Sequence, residues 1–159
     1  MVNNDNKIDP STGSGTNFVS GHLGRILGID YGEKRIGLAI SDESQTFARE
    51  LDIFSPKKFW SEINQLIANH AIVKIVIGWP LNMGGEETKK TLEVKDFKEK
   101  LEKFLEISAK GGPAFGGKIE IMDERLTSQM AQNLPGGRQD VDSLAAQILL
   151  QNYLDKNKK

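Results

Sequence analysis

A chain of 159 residues, 38% hydrophobic and 27% charged, has the make-up of one folded domain with a single core rather than of a disordered polymer. Its formal net charge of −1 means that any contact with nucleic acid must come from a local patch and not from the surface as a whole. It has no cysteine and only two histidines, His22 and His70, which excludes disulfides, thiolate catalysis and thiolate zinc sites and leaves hard, oxygen-held cations as the metal chemistry open to it.

Residues 1–22 carry Asn, Asp, Ser, Thr and Gly with few large apolar side chains, and read as a disordered tail ahead of one domain over 23–159. The N-terminus has no charged-then-apolar secretory pattern, and no run approaches the ~20 apolar residues of a membrane span, so a cytoplasmic location is expected. Ile26–Ile29 and Ile36–Ile40 flank the polar turn Gly32-Glu33-Lys34-Arg35, the pattern of a hairpin. Side chains alternate along a strand, so Gly28 and Asp30 share one face and Ile29 and Tyr31 the other. Thr46–Phe54 reads as a third strand. Ser55-Pro56 then opens a helix to about Asn69, with Phe59, Ile63, Leu66 and Ile67 at helical spacing.

Ile72–Ile77 is β-branched throughout except for Lys74, as expected of an inner strand covered on both faces. A loop through Gly84-Gly85 leads to a long helix over about 88–107. After glycine-rich 109–117 comes a strand over Lys118–Met122 that delivers Asp123-Glu124-Arg125 at its end. A short helical turn is expected after Thr127, broken by Gly136-Gly137, and a last helix runs from near Asp140 to Asp155. The order β-β-β-α-β-α-β-α implies an α/β fold, a mixed five-stranded sheet with helices on its faces.

Ligand sites in open α/β sheets lie where strands end and the direction of connection reverses. Asp30, the pair Asp123/Glu124 and the pair Asp140/Asp142 all fall at ends of expected elements. Carboxylates brought together repel, and a divalent cation is the usual reason to gather them. Plainer roles stay open for each: Asp30 paired with Lys34 or Arg35 across the turn, Asp140 or Asp142 on a helix dipole, Asp123 and Glu124 as surface ions with Arg125 or Arg138.

Four segments, Gly28-Ile-Asp-Tyr-Gly-Glu-Lys-Arg-Ile-Gly-Leu-Ala-Ile-Ser-Asp42, Ile77-Gly-Trp-Pro-Leu-Asn-Met-Gly-Gly85, Asp123-Glu-Arg-Leu-Thr-Ser128 and Val141-Asp-Ser-Leu-Ala-Ala-Gln-Ile-Leu-Leu150, together resemble the YqgF family of pre-16S rRNA nucleases, also described as resolvase-like. The resemblance runs over residues 25–154 in order. It implies an RNase H-like fold and a metal-dependent nuclease that processes the 5′ end of pre-16S rRNA in ribosome biogenesis, with ribosomal precursor particles as partners. Asp30 carries over as the first-strand acid, Glu124 with Asp123 beside it as the second, and Asp142 as the acid of the final helix.

Two Mg²⁺ or Mn²⁺ ions about 4 Å apart would activate water and stabilise the departing oxygen. Asp30 would bridge them, while Glu124 and Asp142 would each hold one. Lys34, Arg35 and Arg125 are the candidates for phosphate contacts. Two departures stand out: the segment between Ser128 and Asp142 is short for the family, and Trp79 stands where a smaller aliphatic residue is common, able to stack a base or to pack on the sheet. Branched DNA is an alternative substrate, and a non-catalytic RNA-binding assembly factor an alternative function. A phosphotransferase of the actin-like kind would need a second lobe and a second glycine-rich phosphate hairpin.

Overall fold

The computed structural model describes residues 23–109, 115–125 and 138–158. The tail 1–22, the turn expected after Thr127 and the Gly136-Gly137 break lie outside the described residues. Strands β1 (Arg25–Asp30), β2 (Ile36–Ser41) and β3 (Ala48–Phe54) form a meander, followed by α1 (Pro56–His70), β4 (Ile72–Trp79), α2 (Lys89–Ala109), β5 (Lys118–Asp123) and α3 (Arg138–Lys156). The sheet has five strands in the order β3-β2-β1-β4-β5. β1 is central, antiparallel to β2 with Asp30 opposite Gly37, and parallel to β4 with Gly28 opposite Val76. The element order and the mixed sheet agree with the sequence reading.

Alternation along β1 sorts the two faces. Leu27 and Ile29 point with Ile75 and Ile77 into a core closed by Phe59 and Ile63 of α1 and by Val94, Phe97 and Leu101 of α2. Ile26, Ala39, Val76 and Met122 point to the other face, where Ala146, Leu149, Leu150, Tyr153 and Leu154 of α3 cover them. The helix α1 starts where the sequence expects it. Pro56 occupies its first turn, and the Ser55 hydroxyl accepts the Lys58 N–H at 3.2 Å.

The third strand starts at Ala48 rather than at Thr46, and Asp42 is the reason. Its carboxylate accepts the backbone N–H groups of Thr46 at 2.7 Å and Phe47 at 2.9 Å and the Ser44 hydroxyl at 2.5 Å, which holds those residues in a turn. Burial opposes ionisation of Asp42, but these hydrogen bonds outweigh it and keep the carboxyl below its ordinary range. The fourth and fifth strands each run past their expected ends, because pairing continues to Trp79 opposite Asp123.

Lys74, the polar exception in the inner strand, is resolved by α3. Its ammonium donates to the Tyr153 hydroxyl at 2.9 Å and sits 3.3 Å from Glu120, while that hydroxyl donates to Glu120 at 2.5 Å. The hydrogen bond to Tyr153 and then that to Glu120 raise the Lys74 pKa against the cost of burial. This contact fixes the direction of α3. Tyr153 meets Lys74 low on β4, and Leu149 lies beside Gly78 higher up, so α3 runs antiparallel to β1 and β4.

Gly28 is where α3 comes closest. A Cβ there would lie 2.9 Å from the Leu150 Cβ and 3.4 Å from the Ala146 carbonyl oxygen. Gly28→Ala is therefore expected to push α3 off the sheet and to destabilise the domain by about 1–3 kcal/mol. A shift in the denaturant midpoint with an unchanged m-value checks this.

Candidate active site

The C-terminal ends of β1, β4 and β5 meet at one end of the sheet. Asp30 closes β1 on the α3 face and is half-buried. Glu124 follows β5 directly, and its N–H donates to the Trp79 carbonyl at 3.2 Å, which continues the β4–β5 ladder by one bond. That bond turns the Glu124 side chain inward over β4, leaving it 5% exposed. Gly78 makes the room: any Cβ at that position would collide with the Glu124 carboxylate.

Asp30 and Glu124 are hydrogen-bonded through their carboxyl groups, so the two acids share a proton. Burial, then the charge of Asp30, push the Glu124 pKa up to about 8. The positive charge of Lys90 opposes the rise, while the hydrogen bond to Asp30 and the charge of Asp123 add to it. The folded pair therefore holds a proton more tightly than either acid would alone. The surface-ion role left open for Glu124 is excluded by its burial. For Asp123 that role holds: Arg125 donates to its carboxylate through Nε at 2.8 Å and approaches through Nη2 at 2.7 Å. The hydrogen bond from Arg125 holds the Asp123 carboxyl below its usual range.

The third acid is reached through the backbone. Ala146 abuts Gly28, and position 142 lies one turn nearer the helix N-terminus. Because α3 runs antiparallel to β1, that turn brings position 142 to the level of Asp30, two residues beyond Gly28. The Asp142 side chain lies outside the described residues, as does that of Asp140. Among the described residues, no three acidic, histidine or cysteine side chains gather closely enough to hold a metal ion.

The basic candidates separate. Lys34 and Arg35 sit exposed on the β1–β2 turn beside Asp30. Arg125 leans on the loop after β4, and a Cβ at Gly85, which has φ +82°, would lie 3.3 Å from its Nη1. That loop is closed by Asn82, whose side chain accepts the Glu86 N–H at 2.8 Å and donates to the Glu86 carboxylate at 3.0 Å. Trp79 packs against the core under α1 and α2. One cation escaped sequence reasoning: Lys90, in the first turn of α2, acts on the charge of Glu124. In sequence it is one of many lysines on an alternating Lys/Glu helix, and only the docking of that turn at the strand ends distinguishes it.

A mixed sheet with an antiparallel β2, a central strand ending in an aspartate and a last helix crossing that strand defines the RNase H-like class of α/β proteins. Residues 24–156 match the model of the family described as "RuvX: Holliday junction resolvase". The chain belongs to that family, as its four motifs suggested, and with it to the nucleases, hydrolases of phosphodiester bonds. Relatives named "Putative pre-16S rRNA nuclease" include one from Sulfurihydrogenibium sp., 38% identical over 141 residues, covering 84% of this chain and 92% of the relative. Another, from Mycoplasmopsis synoviae, is 38% identical over 143 residues, covering 82% of this chain and 97% of the relative. Among solved structures, T. thermophilus RuvC in complex with Holliday junction substrate aligns at 12% identity over 84% of this chain and 96% of that one, with a TM-score of 0.49. No helix among the described residues is long and apolar enough to cross a membrane.

Proposed function

We propose that this protein hydrolyses phosphodiester bonds in precursor ribosomal RNA with the help of a divalent metal, Mg²⁺ or Mn²⁺, and that Asp30, Glu124 and Asp142 hold the metal. One observation carries the reading: Glu124, 5% exposed, lies against Asp30, and burial together with that second acid pushes its pKa up to about 8. A nearly enclosed acid beside a second acid is costly for stability, and a dication in place of the shared proton removes the cost. The donor set, carboxylate oxygen alone, suits Mg²⁺ or Mn²⁺. Gly78 fits this account, since a side chain there would displace the Glu124 carboxylate from the place it holds.

The chemistry supplied when the metal is bound is activation of water and neutralisation of charge on the departing 3′-oxygen. The chain's residues do the rest. Asp30, at the end of the central strand, would hold the metal from the sheet. Glu124 would give up its proton to a bound ion, and Asp142, on the last helix, would supply the third carboxylate. Lys34, Arg35 and Lys90 contact the flanking phosphates and fix the strand along the sheet end. Arg125 serves first to hold Asp123 and the loop after β4, with phosphate contact secondary. Asp123, already ion-paired, acts on the site only through its charge.

The names of the relatives favour precursor 16S rRNA, while the family description favours branched DNA; our reading takes the RNA, met on ribosomal precursor particles in the cytoplasm. Single-turnover cleavage of an RNA carrying the 5′ flank of the small-subunit rRNA, run beside a four-way DNA junction in Mg²⁺, Mn²⁺ and EDTA, decides between them. Cutting of the RNA alone, abolished by EDTA, is the expected result. Cutting of the junction alone moves the substrate to DNA, and no cutting in any divalent metal leaves a binding role.

A further inference from the structure

The helix face of the sheet opposite the acids carries a second feature at the same end. Tyr31 follows Asp30 and points the other way, stacking on Phe97 with ring centroids 4.5 Å apart and an interplanar angle of 25°. Trp60 of α1 meets Phe97 at 5.7 Å. These three rings border an open cavity of about 170 Å³ whose rim carries Glu93, Asp96 and Lys100. A cavity of that size has room for one heteroaromatic ring system. Burial first, then the charges of Glu93, Glu33 and Asp96, raise the pKa of the Tyr31 hydroxyl, so these carboxylates surround it. Two carboxylates, one of them 4.0 Å from the Lys89 ammonium, against one lysine make a poor phosphate site, and aromatic walls beside a nuclease site suit a base instead.

We propose that this cavity takes one unstacked base of the bound strand, and that its rim selects guanine. Guanine presents N1–H and the N2 amino group side by side, which one carboxylate of Glu93 or Asp96 accepts together, while its O6 and N7 acceptors suit the Lys100 ammonium. Uracil offers one N–H flanked by two carbonyl oxygens that a carboxylate repels. Adenine and cytosine each place an acceptor beside their amino group. The first turns of α2 join the two sites: Lys90 acts at Glu124, and Glu93 and Asp96 follow one and two turns on. A strand crossing the sheet end at Asp30 reaches the cavity by turning out a neighbouring base. The inference rests on the nucleic-acid reading, but binding is measured in EDTA, so that its failure and a failure of cleavage are separate results.

Trp60 and Trp79 are the two tryptophans of the chain, so Trp79→Phe leaves Trp60 as the sole tryptophan, excited selectively at the red edge where tyrosine does not absorb. This variant is titrated with a short oligouridylate and with the same oligomer carrying one central guanosine, which have equal charge. The guanosine oligomer should bind roughly tenfold more tightly and quench Trp60. In Glu93→Gln/Asp96→Asn, which preserves shape at two rim positions, that preference should disappear. Equal binding of the two oligomers, no quenching by either, or a preference that survives in the double variant each overturns the proposal. So does equal quenching by free GMP at the same concentration, which would make the cavity a mononucleotide site.

Discussion

Asp30→Asn is expected to slow single-turnover cleavage by ~10³-fold or more, about 4 kcal/mol of barrier, while changing affinity for the uncut strand little. Asparagine keeps the size of aspartate and most of its hydrogen bonding but not the anion that a shared metal ligand must supply. Affinity rests mainly on lysine and arginine contacts to phosphate, which the substitution leaves in place. The metal-free protein should keep its stability near neutral pH, where the shared proton already relieves the repulsion, and gain stability above about pH 8, where both acids would otherwise be charged. Arg35→Ala should do the reverse, weakening binding and lowering its salt dependence with less effect on the rate of the bound strand. If Asp30→Asn cleaves as fast as wild type, the reaction takes place elsewhere.

The second large effect is on stability. Glu124 has its pKa raised from 4.5 to about 8 in the folded protein. The fold therefore binds this proton more tightly than the unfolded chain does. The resulting stabilisation is complete below pH 4.5 or so and is lost as the pH rises through about 8. In EDTA, denaturant unfolding should show the domain losing a few kcal/mol, on the order of 3–5, across that window. Glu124→Gln, neutral throughout, should flatten the profile and leave the variant more stable than wild type at pH 8, though inactive. Millimolar Mg²⁺ or Mn²⁺ should flatten the wild-type profile from the alkaline side and raise its Tm, and EDTA should reverse this. A profile that is the same for wild type and Glu124→Gln would mean that the buried carboxyl does not hold the proton.

How much of this was legible beforehand varied with the kind of signal. Hydrophobic periodicity carried the elements: Ile72–Ile77 and the Phe59–Ile63–Leu66 spacing each became the element they indicate. Boundaries slipped where a single side chain overrode the pattern. Asp42 claimed Thr46 and Phe47 for a turn, and ladder pairing carried β4 on to Trp79. At the site, Asp30 and Glu124 could be named from the motifs, but not their unequal fates. Asp123 and Glu124 are neighbours in sequence, and only the bond from the Glu124 N–H to Trp79 and the space at Gly78 decide which one turns inward. Lys90 and the cavity beside Tyr31 were illegible for a related reason. Both depend on where α2 docks, and a run of alternating Lys and Glu is the same string on any exposed helix.

The close approach of α3 to Gly28 has a consequence for how the protein is made. Synthesis is vectorial, and β1, which holds Asp30, leaves the ribosome long before the helix that covers it. Until α3 emerges, Ile26, Ala39, Val76 and Met122 have no lid, and the third acid proposed for the site is missing. A nascent chain can pair β1 with β2 and still be chemically inert. An enzyme whose proposed target is the RNA of ribosomes in the making would thus acquire its cutting edge only once α3 has emerged and docked on the sheet.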